Sequence, residues 1–154
     1  MKTRAFFALV AITVLVMVSP ATAQQVCSLQ TIKGIYSYTC TGFIFPDPTN
    51  YPTIFVPFAE QGTIVNVGSE SAGSGQQSLG GTQNAVTLYA DEVVVNSDCR
   101  STVTYTEYVN GVEYPDPVTI SALILDHGEE MRSFLTNPGS VITCNLKLMS
   151  RNTQ

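Results

Sequence analysis

A single histidine, His127, stands beside Asp126, with Ser121 and Ser133 close by in the sequence. Those are the residue types of a serine hydrolase: a hydroxyl nucleophile, an imidazole base and a carboxylate to orient it. The chain has no Gly-x-Ser-x-Gly elbow, however, and Asp126-His127-Gly128 reads as a turn between two strands, so a solvated hairpin is expected there. Carboxylates also gather at Asp91-Glu92 and at Asp126, Glu129 and Glu130, the raw material of glycoside hydrolysis or calcium binding. Neither group has the Asp-x-Asp-x-Asp-Gly spacing of a calcium loop, and ordinary solvation explains both. The residues therefore assign no catalytic group, no metal ligand and no cofactor.

The aromatic residues say more. Tyr36, Tyr38, Tyr89, Tyr105, Tyr108 and Phe134 all fall in segments with the two-residue period of strands. With the parity of Tyr105 and Glu107 turned inward, a barrel would hold a phenol and a carboxylate inside an apolar wall. Tyr36, Tyr38, Tyr105, Glu107 and Phe134 are accordingly the candidate binding residues for a small hydrophobic or aromatic molecule. The simpler expectation is that a barrel of this size fills its interior with side chains. Glu107 is the charged residue whose inward placement would be hard to explain without a function.

Positioning those side chains falls to a series of strands. Lys33 to Phe45 alternates, with Tyr36, Tyr38 and Cys40 on one parity. Pro46 to Pro52 must be a loop, because its prolines cannot donate ladder hydrogen bonds. Pro57 to Val67 is a second strand region. Ser69 to Gly81, rich in Gly and Ser, is expected to be a mobile hairpin tip or a weak edge strand. Ala85 to Val95, Cys99 to Tyr108, Val118 to Leu125, Glu130 to Thr136 and Val141 to Met149 follow as strands. Between them stand turn signals at Asn96-Ser97-Asp98, Asn110-Gly111, Asp126-His127-Gly128 and Asn137-Pro138-Gly139-Ser140. The two Pro-Asp-Pro loops, around Asp47 and Asp116, with Phe45, Tyr51, Phe55 and Tyr114, would form an apolar mouth if they share one rim; guarding strand ends is the plainer use of their prolines.

No sustained helical period follows the first twenty-three residues. Those residues have a basic start, an apolar run from Ala5 to Val18 and a small-residue Ala21-Thr22-Ala23, the pattern of a signal peptide cut before Gln24. The expected arrangement is thus a signal over 1–23 and one domain over 24–154, secreted and free of the membrane after cleavage. Losing Lys2 and Arg4 leaves five Lys/Arg against twelve Asp/Glu, a net charge near −7, which argues against nucleic acid as a partner. Four cysteines in an exported chain read as two disulfides, for which three pairings exist. Seven or eight strands joined by local turns favour an antiparallel up-and-down barrel. Closure makes its first and last strands neighbours, which predicts Cys40–Cys144 and leaves Cys27–Cys99 as the second bond.

Gly34-Ile35-Tyr36-Ser37-Tyr38-Thr39-Cys40-Thr41-Gly42 resembles the first strand of small exported calycin-like or allene-oxide-cyclase-like barrel proteins of fungi and bacteria. Asn96-Ser97-Asp98-Cys99-Arg100-Ser101-Thr102-Val103-Thr104 is similar to the Asp-Cys strand start of the same group, with Arg100-Ser101 in place of Thr-Gly. The resemblance implies an eight-stranded calycin-like barrel and little chemistry. The expected function is non-catalytic: binding a small hydrophobic or aromatic ligand in the barrel, or serving as an extracellular interaction protein whose partner the sequence does not name. The alternative is a cavity enzyme of isomerase or cyclase type, working by positioning.

Overall fold

Alternation of inward and outward side chains runs through the long elements of the described residues, and all of them are strands. The computed structural model describes residues 25–45 and 55–151. The signal-peptide reading and the loop carrying Asp47 and Tyr51 fall outside them. The strands are β1 (Gly34–Ile44), β2 (Val56–Val67), β3 (Glu70–Leu79), β4 (Thr82–Val95), β5 (Arg100–Val109), β6 (Val112–Glu113), β7 (Val118–Leu125), β8 (Glu130–Leu135) and β9 (Ser140–Ser150). A 3-10 turn, Asp126–Gly128, joins β7 to β8. β1 to β5 pair in chain order, β5 passes to β7, and β9 returns to β1, every pairing antiparallel. β6 only extends the hairpin at the end of β5. Eight strands thus close an up-and-down barrel with no free edge.

The Gly- and Ser-rich segment is neither a hairpin tip nor an edge. As β3 it pairs over ten residues with β2 and over eight with β4. Closure removes the edge this segment was expected to occupy. Its glycines also have a packing reason: a Cβ at Gly75 would stand 2.5 Å from the Tyr38 hydroxyl, and one at Gly62 on β2 would stand 2.8 Å from the Tyr38 ring. Tyr38 therefore lies across a glycine-lined strip of the inner wall. On β4 the register slips between Ala90 and Glu92. That bulge changes the inward parity from Val86 and Leu88 to Val93 and Val95, which keeps the inner face apolar on both sides of it.

Both expected disulfides form, Cys40–Cys144 between directly opposed residues of β1 and β9, and Cys27–Cys99 between the N-terminal lead and the start of β5. Each contributes about 2–4 kcal/mol by restricting the unfolded chain, and both suit an oxidising compartment. The lead closes one end of the barrel. Its Cys27 and Ile32 pack with Tyr36, Cys99, Ile124 and Met131, and the Cys27 amide donates to the Ser97 carbonyl. Gly128, at φ +87°, lets the β7–β8 turn press against the Thr31 carbonyl, where a Cβ would collide. Among the described residues no helix is long and apolar enough to cross a membrane.

Candidate functional site

The interior is not filled. Above the plugged end lies a cavity of about 880 Å³ that reaches the opposite rim, within the roughly 300–1,000 Å³ range of small-molecule sites. Phe58, Leu88, Val103, Ile120 and Ile142 supply much of its apolar wall, and Phe45, Tyr114, Asp116 and Pro138 stand at its mouth. Narrow barrels fill because inward side chains meet across the axis. Here β5, β7 and β8 contribute Ser101, Ala122 and Ser133 at inward positions. Small residues on those strands leave the space open.

One polar cluster interrupts the apolar wall. Glu60 on β2 and Glu107 on β5 both face the cavity, with Gln77 of β3 beside them. The Tyr38 hydroxyl donates to Glu60 Oε1 at 2.5 Å. Gln77 Nε2 donates to Glu107 Oε1 at 3.1 Å, and the same amide hydrogen-bonds to Glu60. Next to them the Tyr105 hydroxyl shares a 3.3 Å hydrogen bond with Ser71 Oγ. Register explains the assembly. Glu60 is paired with Cys40 on one side and Gln77 on the other, so Cys144, Cys40, Glu60 and Gln77 form one inward row across β9, β1, β2 and β3. Ser133 on β8 extends the row. It is buried, and its hydroxyl has no protein partner among the described residues.

Burial governs the electrostatics of the cluster. Glu107 is pushed up to about 7, first by removal from water and then by the negative charge of Glu60, with the Gln77 hydrogen bond opposing. Burial also raises Glu60, against the hydrogen bonds from Tyr38 and Gln77. Tyr38 is raised by burial and then by Glu60, and Tyr105 by burial. The two phenols therefore remain neutral at physiological pH, and Glu107, beside Glu60, exchanges a proton near neutrality.

Three of the five residues expected to bind a ligand meet here: Tyr38, Tyr105 and Glu107. Tyr36 shares the inward parity but sits in the plugged end, fully buried, with its hydroxyl donating to the Gly128 carbonyl at 2.7 Å. Parity fixes the face of a residue, not its depth along the barrel. Phe134 is corrected more sharply: it points outward and is 53% exposed, because the inward residues of β8 are Met131, Ser133 and Leu135. Glu60 and Gln77 were the residues that sequence reasoning missed. Glu60 carried a readable signal, being a carboxylate on the same parity as Phe58 and Ile64. Gln77 stood in the segment taken for a hairpin tip.

His127 occupies an exposed turn at φ 57°. Its backbone amide meets Gln25 and its carbonyl accepts from Arg151. Ser121 and Ser133 have opposite parities on their strands, so they do not share a face, and the exposed turn matches the solvated hairpin expected there. Among the described residues no three His, Cys, Asp or Glu side chains gather as a metal site would require. Of the residues expected at an apolar rim, Phe45 and Tyr114 line the mouth, while Phe55 packs edge-on against Phe43 at 5.0 Å outside it. Comparison with protein-family models, with curated proteins and with solved structures returned no match.

Proposed function

We propose that this is an exported receptor for a small, mainly apolar molecule, held in the barrel with a polar group against Glu60, Gln77 and Glu107. The observation that carries this reading is a cavity of about 880 Å³ with a buried carboxyl cluster in a mainly apolar wall. A protein acting only through its rim has no use for either feature. Burying carboxyl groups in such a wall is costly unless something compensates them.

Titration with Nile red, a neutral apolar fluorophore, tests the proposal. A bright one-to-one complex that Ala122→Trp abolishes is the expected result, since Ala122 faces the cavity. Ile120→Trp provides a second way to block the same space. The absence of a complex, or one indifferent to both substitutions, refutes lumen binding. Native mass spectrometry of the secreted protein, with its denatured mass as reference, checks for a retained natural ligand and for a chain beginning at Gln24.

One observation favours a second reading. A carboxyl titrating near 7 inside an apolar cavity is suited to general acid–base catalysis. An isomerase or cyclase would use Glu107 to move a proton on a substrate positioned by the wall. Turnover lost in Glu107→Gln while the substrate still binds separates that activity from storage or transport.

A further inference from the structure

Among the described residues, every charged side chain on the cavity wall is acidic: Glu60 and Glu107 lie in its depth and Asp116 at its mouth, and no Lys, Arg or His lines it. Ion pairs among the described residues, Arg100–Asp98 and Arg132–Glu130, both lie on the exterior. Among the described residues the buried carboxyls are served by neutral donors, the Tyr38 hydroxyl and the Gln77 amide. Two ionised carboxylates offer about eight acceptor sites, so acceptors outnumber these donors severalfold.

We propose that the cavity selects a small organic cation, with an amine or amidine head between Glu60 and Glu107 and an apolar body along Leu88, Val103 and Ile142. The proposal rests on the lumen-binding reading and assigns it a ligand class. Like charges buried together repel strongly at low dielectric. An ammonium or amidinium placed on the pair removes that repulsion and supplies the missing donors. A neutral ligand leaves the repulsion in place, and a carboxylate or phosphate adds to it. An inorganic cation would find two carboxylates but no third anionic ligand, and it would gain nothing from the apolar wall.

The groups facing the pair make binding depend on pH. They are Tyr38 from β1, Gln77 from β3, Asn84 from β4 and Tyr105 beside Glu107 on β5; β7, β8 and β9 present no titratable side chain to the cavity. Glu107 itself changes charge between pH 5 and 8, while burial holds the two phenols neutral. Cation binding expels a proton from Glu107. Affinity therefore rises roughly thirty-fold from pH 5.5 to 8, following the ionised fraction of a group titrating near 7.

Displacement of Nile red by three ligands of matched shape tests the inference: 4-phenylbutylamine, 4-phenylbutanol and 4-phenylbutyrate. The amine is expected to bind at least ten-fold more tightly than the alcohol at pH 8, and the carboxylate more weakly than either. The amine-to-alcohol ratio should fall toward one in Glu60→Gln/Glu107→Gln, and part of the way in Glu107→Gln alone. Equal binding of amine and alcohol, with Nile red still sensitive to Ala122→Trp, overturns cation selection and leaves the lumen reading standing. If Nile red does not enter the barrel, both fail together.

Discussion

Glu107→Gln should make the protein more stable at pH 8 and leave it nearly unchanged at pH 4.5. In the folded protein this carboxyl titrates at about 7, against 4.5 when free of the fold. Between those values the folded state holds a proton that the unfolded state has released, so wild-type stability falls as pH rises. A gap of roughly 2.5 pH units at 1.36 kcal/mol each amounts to about 3 kcal/mol lost by pH 8. The neutral glutamine has no such term, and its carbonyl can still accept the Gln77 hydrogen bond now made to Glu107 Oε1. Urea unfolding at half-unit intervals from pH 4.5 to 8.5 measures the difference directly. The variant should gain with increasing pH, reaching about 3 kcal/mol, or roughly 12 °C in Tm for a domain of this size. Glu60 is raised in the same direction, so the difference between the two curves reports Glu107 together with its repulsion from Glu60. A difference that stays flat across the range would refute the burial of this carboxyl beside Glu60.

Two further changes probe the wall that shapes the site. Gly75→Ala places a Cβ 2.5 Å from the Tyr38 hydroxyl; overpacking of this kind costs about 1–3 kcal/mol, and denaturant unfolding at pH 6 should show that loss. Unchanged stability would mean that Tyr38 does not lie across β3. Ser133→Ala removes a buried hydroxyl that has no protein partner and should raise stability by about 1 kcal/mol. A loss in the same assay would show that the hydroxyl is hydrogen-bonded in solution.

Particular residues show how far the sequence could be read. Alternation in Tyr36-Ser37-Tyr38-Thr39-Cys40 and from Val103 to Glu107 fixed which side chains share a face, and both sets do face inward. Local turns between strands implied an up-and-down order, and closure of that order placed Cys40 opposite Cys144. β3 resisted the same reading because its inward residues are Gly, Ser and Gln, whose partners, Ile64, Tyr38, Tyr105 and Glu107, stand on other strands. The carboxyl pair was hidden for a related cause: Gln77 reaches Glu107 across thirty residues of sequence.

The sequence by itself determined most of the strands, the facing of Tyr38, Tyr105 and Glu107, and the cysteine pairing, because a two-residue period and the order of strands along the chain can be read without the fold. It did not determine β3 or the facing of Phe134. Tertiary structure alone decided that the barrel is hollow, that Tyr36 lies in its plug, and that two carboxyls share its lumen. Those outcomes depend on strand stagger and on the combined volume of side chains from eight strands, and no single segment encodes either.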